Sequence, residues 1–322
     1  MSSAVSALYE PLIARDLEGI GPAIRRFRET ADSEDLYLAV ARFALLSYAP
    51  AQHAKHAVLA VLAAFELRDD YGGRWDELLA ECAHYAAASR QPWSEPPMLE
   101  PPAVEEGGPA DPDELRAAIE AGDRLRGERW LARRLDDPAL RRDLVTVSAE
   151  DLSDLGHKLI MTNAALKLEP ILGARGRFAT LRMAVWELTA YHGQPPPARA
   201  TLDPAALLDR LISRCAAEAG SLESAHAVFL FDAALERDSL DAVSGHLDAL
   251  AAPASPTEVT LPSPPKEPPV YRLGRDLGAA LEAHAVAKRL RRTLPGAPLD
   301  TFLAAVHHNL EHGPSLEEWS FA

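Results

Sequence analysis

Ser221–Leu235 reads SLESAHAVFLFDAAL. Its apolar residues recur at three- and four-residue spacing, the period of an α-helix with a buried face. His226 stands one turn into the run and shares a face with Leu222, Phe229, Leu230, Ala233 and Ala234. The same period continues through most of the chain. Alternating Val/Ile/Thr runs and Asn-Gly turns, the marks of strands and hairpins, are nearly absent. The pattern predicts an all-α multi-helix bundle.

Working outward, helices are expected to fill most of the chain, among them 112–135, 150–170, 222–236 and 274–294. Asp111-Pro112 and Asp203-Pro204 each read as an N-cap followed by proline at the first helical position, where its missing N–H costs nothing. Ser148 with Asp151 resembles a capping box. Gly72-Gly73 and Gly193 look like helix terminators. Gly173–Phe178 (GARGRF) reads as a turn between helices. Glu128, Arg133 and Arg134, and Asp136 with Arg141, read as surface charge networks.

Two segments break the period, Gln91–Pro112 and Ala252–Val270. Together they hold 14 of the 26 prolines, too many for helix. They are expected to be irregular connections, about 91–112 and 252–270, within a single all-α domain spanning 1–322. Trp93, Met98 and Leu99 would anchor the first, Val259 and Leu261 the second.

Composition narrows the classes. No apolar run reaches the roughly 18 residues that span a bilayer, and the N-terminus lacks a signal-peptide pattern. The two cysteines, Cys82 and Cys215, form no CxxC and read as buried thiols. A formal net charge of −15 argues against a nucleic-acid surface. The expectation is a soluble cytoplasmic protein with no membrane or nucleic-acid partner. No P-loop, GxGxxG or GxSxG motif is present, so no nucleotide cofactor is expected.

The histidines carry the functional lead. His-Ala-Val occurs at His56, His226 and His284, and GHKL places a further ring at His157. By helical spacing all four face apolar neighbours, and the alanines on those faces leave room beside the rings. A single histidine on such a face is ordinarily a hydrogen-bonded core residue. Four on separate helices suggest a metal site, because neutral imidazole is the commonest metal ligand and bundles build such sites from facing helices. Secondary candidates are His307, His308 (spaced i,i+4 from His312), Lys288 on the His284 face, and Glu223. Glu223–His226 and Glu81–His84 are Glu-x-x-His elements of the kind used in di-iron bundles, although Glu81 and His84 read as a solvated face. His53, His192 and His246 read as surface or structural, and KRLRR (Lys288–Arg292) as a basic helix end.

Three segments, KHAVLAVLAAFEL, GHKLIMTNAALKLEPILG and LEAHAVAKRLRRTLP, resemble the histidine-bearing helices of the questin oxidase-like family. They are similar also to the helical domain attached to some Rieske-type bacterial proteins. The resemblance implies an all-α, oxygenase-like oxidoreductase acting on a small aromatic, polyketide-like compound. It implies that His56, His157 and His284 at the matching positions, joined by His226 from the repeated AHAV, bind iron or line the substrate site. The chain departs from the pattern in having only 6% aromatic residues; Phe229 and Trp186 are the nearest substrate-binding candidates, with Phe231 and Tyr191. It carries no Rieske ligands, so an electron-transfer partner would be separate. The competing expectation is a non-catalytic helical scaffold or interaction protein with structural core histidines.

Overall fold

A computed structural model of the chain describes residues 3–50, 54–89, 101–102, 111–190, 192–200, 203–252, 261 and 276–312. Among these, all regular structure is helical and no strand occurs. The anchors Trp93, Met98, Leu99 and Val259, with Tyr191 and His53, lie outside the described residues, as does most of both Pro-rich segments. The chain divides into two compact units. The first comprises Met1–Pro97, Glu267–Ala285 and Pro314–Ala322, and the second Met98–Lys266 and Val286–Gly313.

The first unit contains α1 (Ser3–Ala14), α2 (Leu17–Arg28), α3 (Ser33–Ser47), α4 (Ala54–Glu66), the short α5 (Arg68–Tyr71) and α6 (Trp75–Ser89). Asp16 caps α2 through the Gly19 amide, and Asp32 and Asp35 form a reciprocal capping box on α3. Helix α4 packs against α3 and α6. Every residue of α4 from Ala54 to Ala64 is buried, so it has no polar face and serves as the unit's core helix. His56 is on it. The Trp75 indole N–H donates to the Ala64 carbonyl (2.9 Å), tying α6 to the end of α4.

The second unit contains α7 (Pro112–Glu120), α8 (Arg124–Arg134), α9 (Leu140–Ala149), α10 (His157–Leu172), α11 (Arg177–Ala190), α12 (Pro204–Ala217), α13 (Leu222–Glu236), α14 (Leu240–Leu250) and α16 (Leu299–His312). Helix α15 (Leu277–Thr293) gives its first turns to the first unit and, from Val286, its remainder to the second. Helix α10 is central: it packs on α9, α11 and α13. Its face bears His157, and the facing helix α13 bears His226.

The Asp111 and Asp203 caps form as the sequence indicates, accepting from the Asp113 and Ala205 amides at 3.0 Å each. Four local expectations are corrected. The helix expected over 112–135 is broken at Ala121–Asp123, where Asp123 caps α8 by accepting from the Arg126 amide. The helix expected over 150–170 begins only at His157. Ser148 is no cap: it lies inside α9 and its hydroxyl donates to the Val145 carbonyl, while Asp151 accepts from the Ser153 amide and hydroxyl. The supposed surface networks are partly interior. Glu128 and Arg134 are each 5% exposed; Arg134 pairs with Asp143 at 2.7 Å, whereas Asp136 and Arg141 are exposed. A charge at helical spacing looks the same whether it meets water or a partner from another helix. No helix among the described residues is long and apolar enough to cross a membrane.

Candidate metal centre

The site begins with an unusual piece of backbone. Asp154, Leu155 and Gly156 are consecutive residues in the left-handed region, with φ of +57°, +57° and +79°. An L-residue pays roughly 1–2 kcal/mol there, so two non-glycine residues in succession mark a turn held by its surroundings. The turn aims the Asp154 carbonyl at His157, whose Nδ1–H donates to it at 2.6 Å. A carbonyl can only accept, so the proton sits on Nδ1 and the lone pair on Nε2. Glycine suits position 156: its φ is one that L side chains rarely adopt, and a Cβ there would stand 2.8 Å from the Leu230 side chain of α13.

His226 follows from the capped start of α13, where the Ser221 hydroxyl accepts from the Ser224 amide. Its ring is 2% exposed. It meets the His157 ring at 4.5 Å between centroids and the Phe229 ring edge-on at 5.4 Å.

His56 is oriented by a group that sequence reasoning missed. Its Nδ1–H donates to Oδ2 of Asp276 at 2.6 Å. The other oxygen, Oδ1, accepts from the Tyr85 hydroxyl at 2.7 Å and from the Ala279 amide at 3.0 Å. Asp276 is therefore both the cap of α15 and the partner of the imidazole. The approach depends on Gly278, where a Cβ would come within 2.4 Å of the His56 carbonyl oxygen. Its signal in the sequence is an acidic residue opening a predicted helix, but nothing local links it to a histidine 220 positions earlier.

These three rings form a group. One ligand atom from each of His56, His157 and His226 lies within 4.8 Å of the other two, and all three residues are buried. The group could hold a metal ion. His56 and His157 have the arrangement characteristic of metal-binding imidazoles, in which the non-ligating N–H is held by a carboxylate or carbonyl.

The group includes none of the other expected histidines. His284 is half-buried on α15 and is not in the group. The His308 and His312 rings stack on one another at 4.3 Å, with His312 Nδ1 bonded to the His308 carbonyl. Burial lowers the His307 pKa, against the pull of Glu311. Lys288 is half-buried, and Glu223 is exposed in the first turn of α13, where its charge acts on His246. Of the basic run at the end of α15, Arg289 is no free helix-end charge: it pairs with the buried Asp232 at 2.6 Å. Phe229 touches the His226 ring and packs on Phe302. Trp186 donates to Glu128 and lies under the Arg124 and Arg182 guanidinium groups. Glu81 is half-buried rather than fully solvated, and burial raises its pKa. His84 bonds the Ala80 and Leu17 carbonyls.

A further buried charge escaped the sequence reading. Lys158, beside His157, is fully buried and pairs with Asp151 at 2.9 Å. Asp151 also accepts from the Gly193 and Gln194 amides. Both cysteines are free and buried; burial pushes the Cys215 thiol up to about 12. A groove of about 1000 Å³ in the second unit is lined by Arg141, Arg199, Arg237, Glu236 and Asp241 among others, and by none of the three histidines.

Comparison of the chain with protein-family models, with curated proteins and with solved structures finds no match.

Proposed function

We propose that this protein binds a divalent transition-metal ion through His56, His157 and His226 and uses it to oxidise a small organic molecule, with dioxygen as the oxidant. The observation that carries the metal reading is the convergence of three buried imidazole nitrogens, two of them on rings whose Nδ1–H is already committed elsewhere. Nitrogens sharing one ion at about 2.1 Å stand roughly 3–4 Å apart; the three here lie within 4.8 Å of one another before any ion draws them in. Three neutral ligands leave the ion its full charge and at least one open position, as in catalytic rather than structural sites. Imidazole ligands suit iron, zinc, copper and nickel. Iron and an oxygenase-like reaction on an aromatic compound are favoured here by the resemblance of the three histidine-bearing segments to the questin oxidase-like family. A bound ion of this kind supplies Lewis acidity or one-electron chemistry. The chain's own part is to orient the rings and to exclude water around them. In this reading His284 and the other secondary residues do not bind the ion, and Phe229, against His226, is the substrate-facing candidate.

The test is elemental analysis of the purified protein, repeated for His157→Ala and His226→Ala. Stoichiometric metal in the wild type and its loss in both variants is expected. A wild type that neither carries nor takes up a transition metal would leave the scaffold reading, with the three rings as core residues.

A further inference from the structure

Resting on the metal reading, we infer that Asp276 is a positioning residue for the centre: it selects which nitrogen of His56 faces the metal, and Tyr85 holds it in place to do so. Asp276 is 8% exposed and His56 5%, so water does not compete for the bond between them. An ionised carboxylate only accepts, so its 2.6 Å contact with Nδ1 fixes the proton on that nitrogen and leaves the Nε2 lone pair for a ligand bond. The carboxylate cannot turn away. Its second oxygen is held by the Tyr85 hydroxyl and the Ala279 amide, and Tyr85 is itself fully buried. The chain Tyr85–Asp276–His56 thus joins α6, the start of α15 and α4. It supplies a negative charge behind one imidazole, whereas the Nδ1 of His157 meets the Asp154 carbonyl at 2.6 Å and the Asp154 carboxylate at 3.5 Å.

An amide at position 276 reverses the logic. In Asp276→Asn the amide oxygen is required by the Ala279 N–H, which turns the NH₂ toward His56. That donor favours the other tautomer, with its proton on the nitrogen meant for the metal.

The experiment uses the full chain as wild type, Asp276→Asn and Tyr85→Phe. Cobalt(II) affinity is measured by competition with a chromophoric chelator, and the ligand-field bands are recorded. The tautomer of His56 is read from long-range ¹H–¹⁵N correlations in the metal-free protein. The expected result is the Nδ1–H form in wild type. Asp276→Asn should shift to the Nε2–H form, with affinity weakened roughly 10- to 100-fold and altered bands. Tyr85→Phe should keep the tautomer and lose less affinity. Wild-type affinity and bands in Asp276→Asn, or an Nε2–H ring in wild type, would overturn the inference. If Asp276→Asn does not fold, unchanged affinity and bands in Tyr85→Phe overturn it. A wild type that takes up no cobalt defeats the metal reading itself; the tautomer, which needs no metal, distinguishes that failure from this one.

Discussion

The imidazoles of His157 and His226 stand 4.5 Å apart, centroid to centroid, with their planes tilted by 53°. Two buried rings at this distance share one small volume, and a cation between donor nitrogens stabilises only the folded chain. Added zinc(II) or iron(II) should therefore raise Tm. At one hundred times Kd the gain is about 2.7 kcal/mol. Calorimetric melts of His157→Ala and His226→Ala with and without metal check this: both variants should lose the metal-dependent shift.

Gly156→Ala should destabilise the protein by about 2–3 kcal/mol in a urea melt, combining a left-handed φ with a clash. The new methyl would meet the Leu230 side chain at 2.8–3.2 Å. Adding Leu230→Ala should remove the clash but not the conformational cost, so the double variant should be less impaired than the two single effects summed.

Asp151 and Lys158 predict an asymmetry. Burial would raise the Asp151 carboxyl, but the Ser153 hydroxyl and amide and the Lys158 ammonium outweigh it and hold the group well below the usual carboxylate range. Its contribution is present above about pH 4 and is lost as pH falls through the folded value. Asp151→Ala should cost about 3–5 kcal/mol, because it strands a fully buried ammonium. Lys158→Met should cost much less. Urea melts of the two variants at neutral pH provide the comparison.

His246 and His307 predict a second pH effect. Burial lowers both pKa values, opposed by Glu223 and Glu311 respectively. The unfolded chain then binds more protons than the folded one just below about pH 6.5. Stability should be complete above that point and decline as pH falls through the window. The double variant His246→Gln/His307→Gln should show a flatter profile between about pH 5 and 7.

Periodicity alone reveals the all-α class, because helix and strand differ in the spacing of their apolar residues. It also reveals the burial of His56, His157 and His226, since each lies among apolar residues on a single helix. What escaped is what one helix cannot encode. Asp276 and Tyr85 meet His56 from distant positions. Lys158 looks like a surface residue until Asp151 is placed against it. The left-handed turn before His157 contains two residues, Asp154 and Leu155, with no intrinsic preference strong enough to announce it. His284, from the other AHAV, is half-buried on α15 and is not in the group that His56, His157 and His226 form.

Gly278 has a consequence for engineering. It lies in the first turn of a regular helix, where replacing glycine by alanine ordinarily gains up to about 1 kcal/mol. A scan for thermostable variants would select that change first. Here the added methyl would press on the His56 backbone, so a substitution that improves the helix as a helix would shift a ring of the three-histidine group.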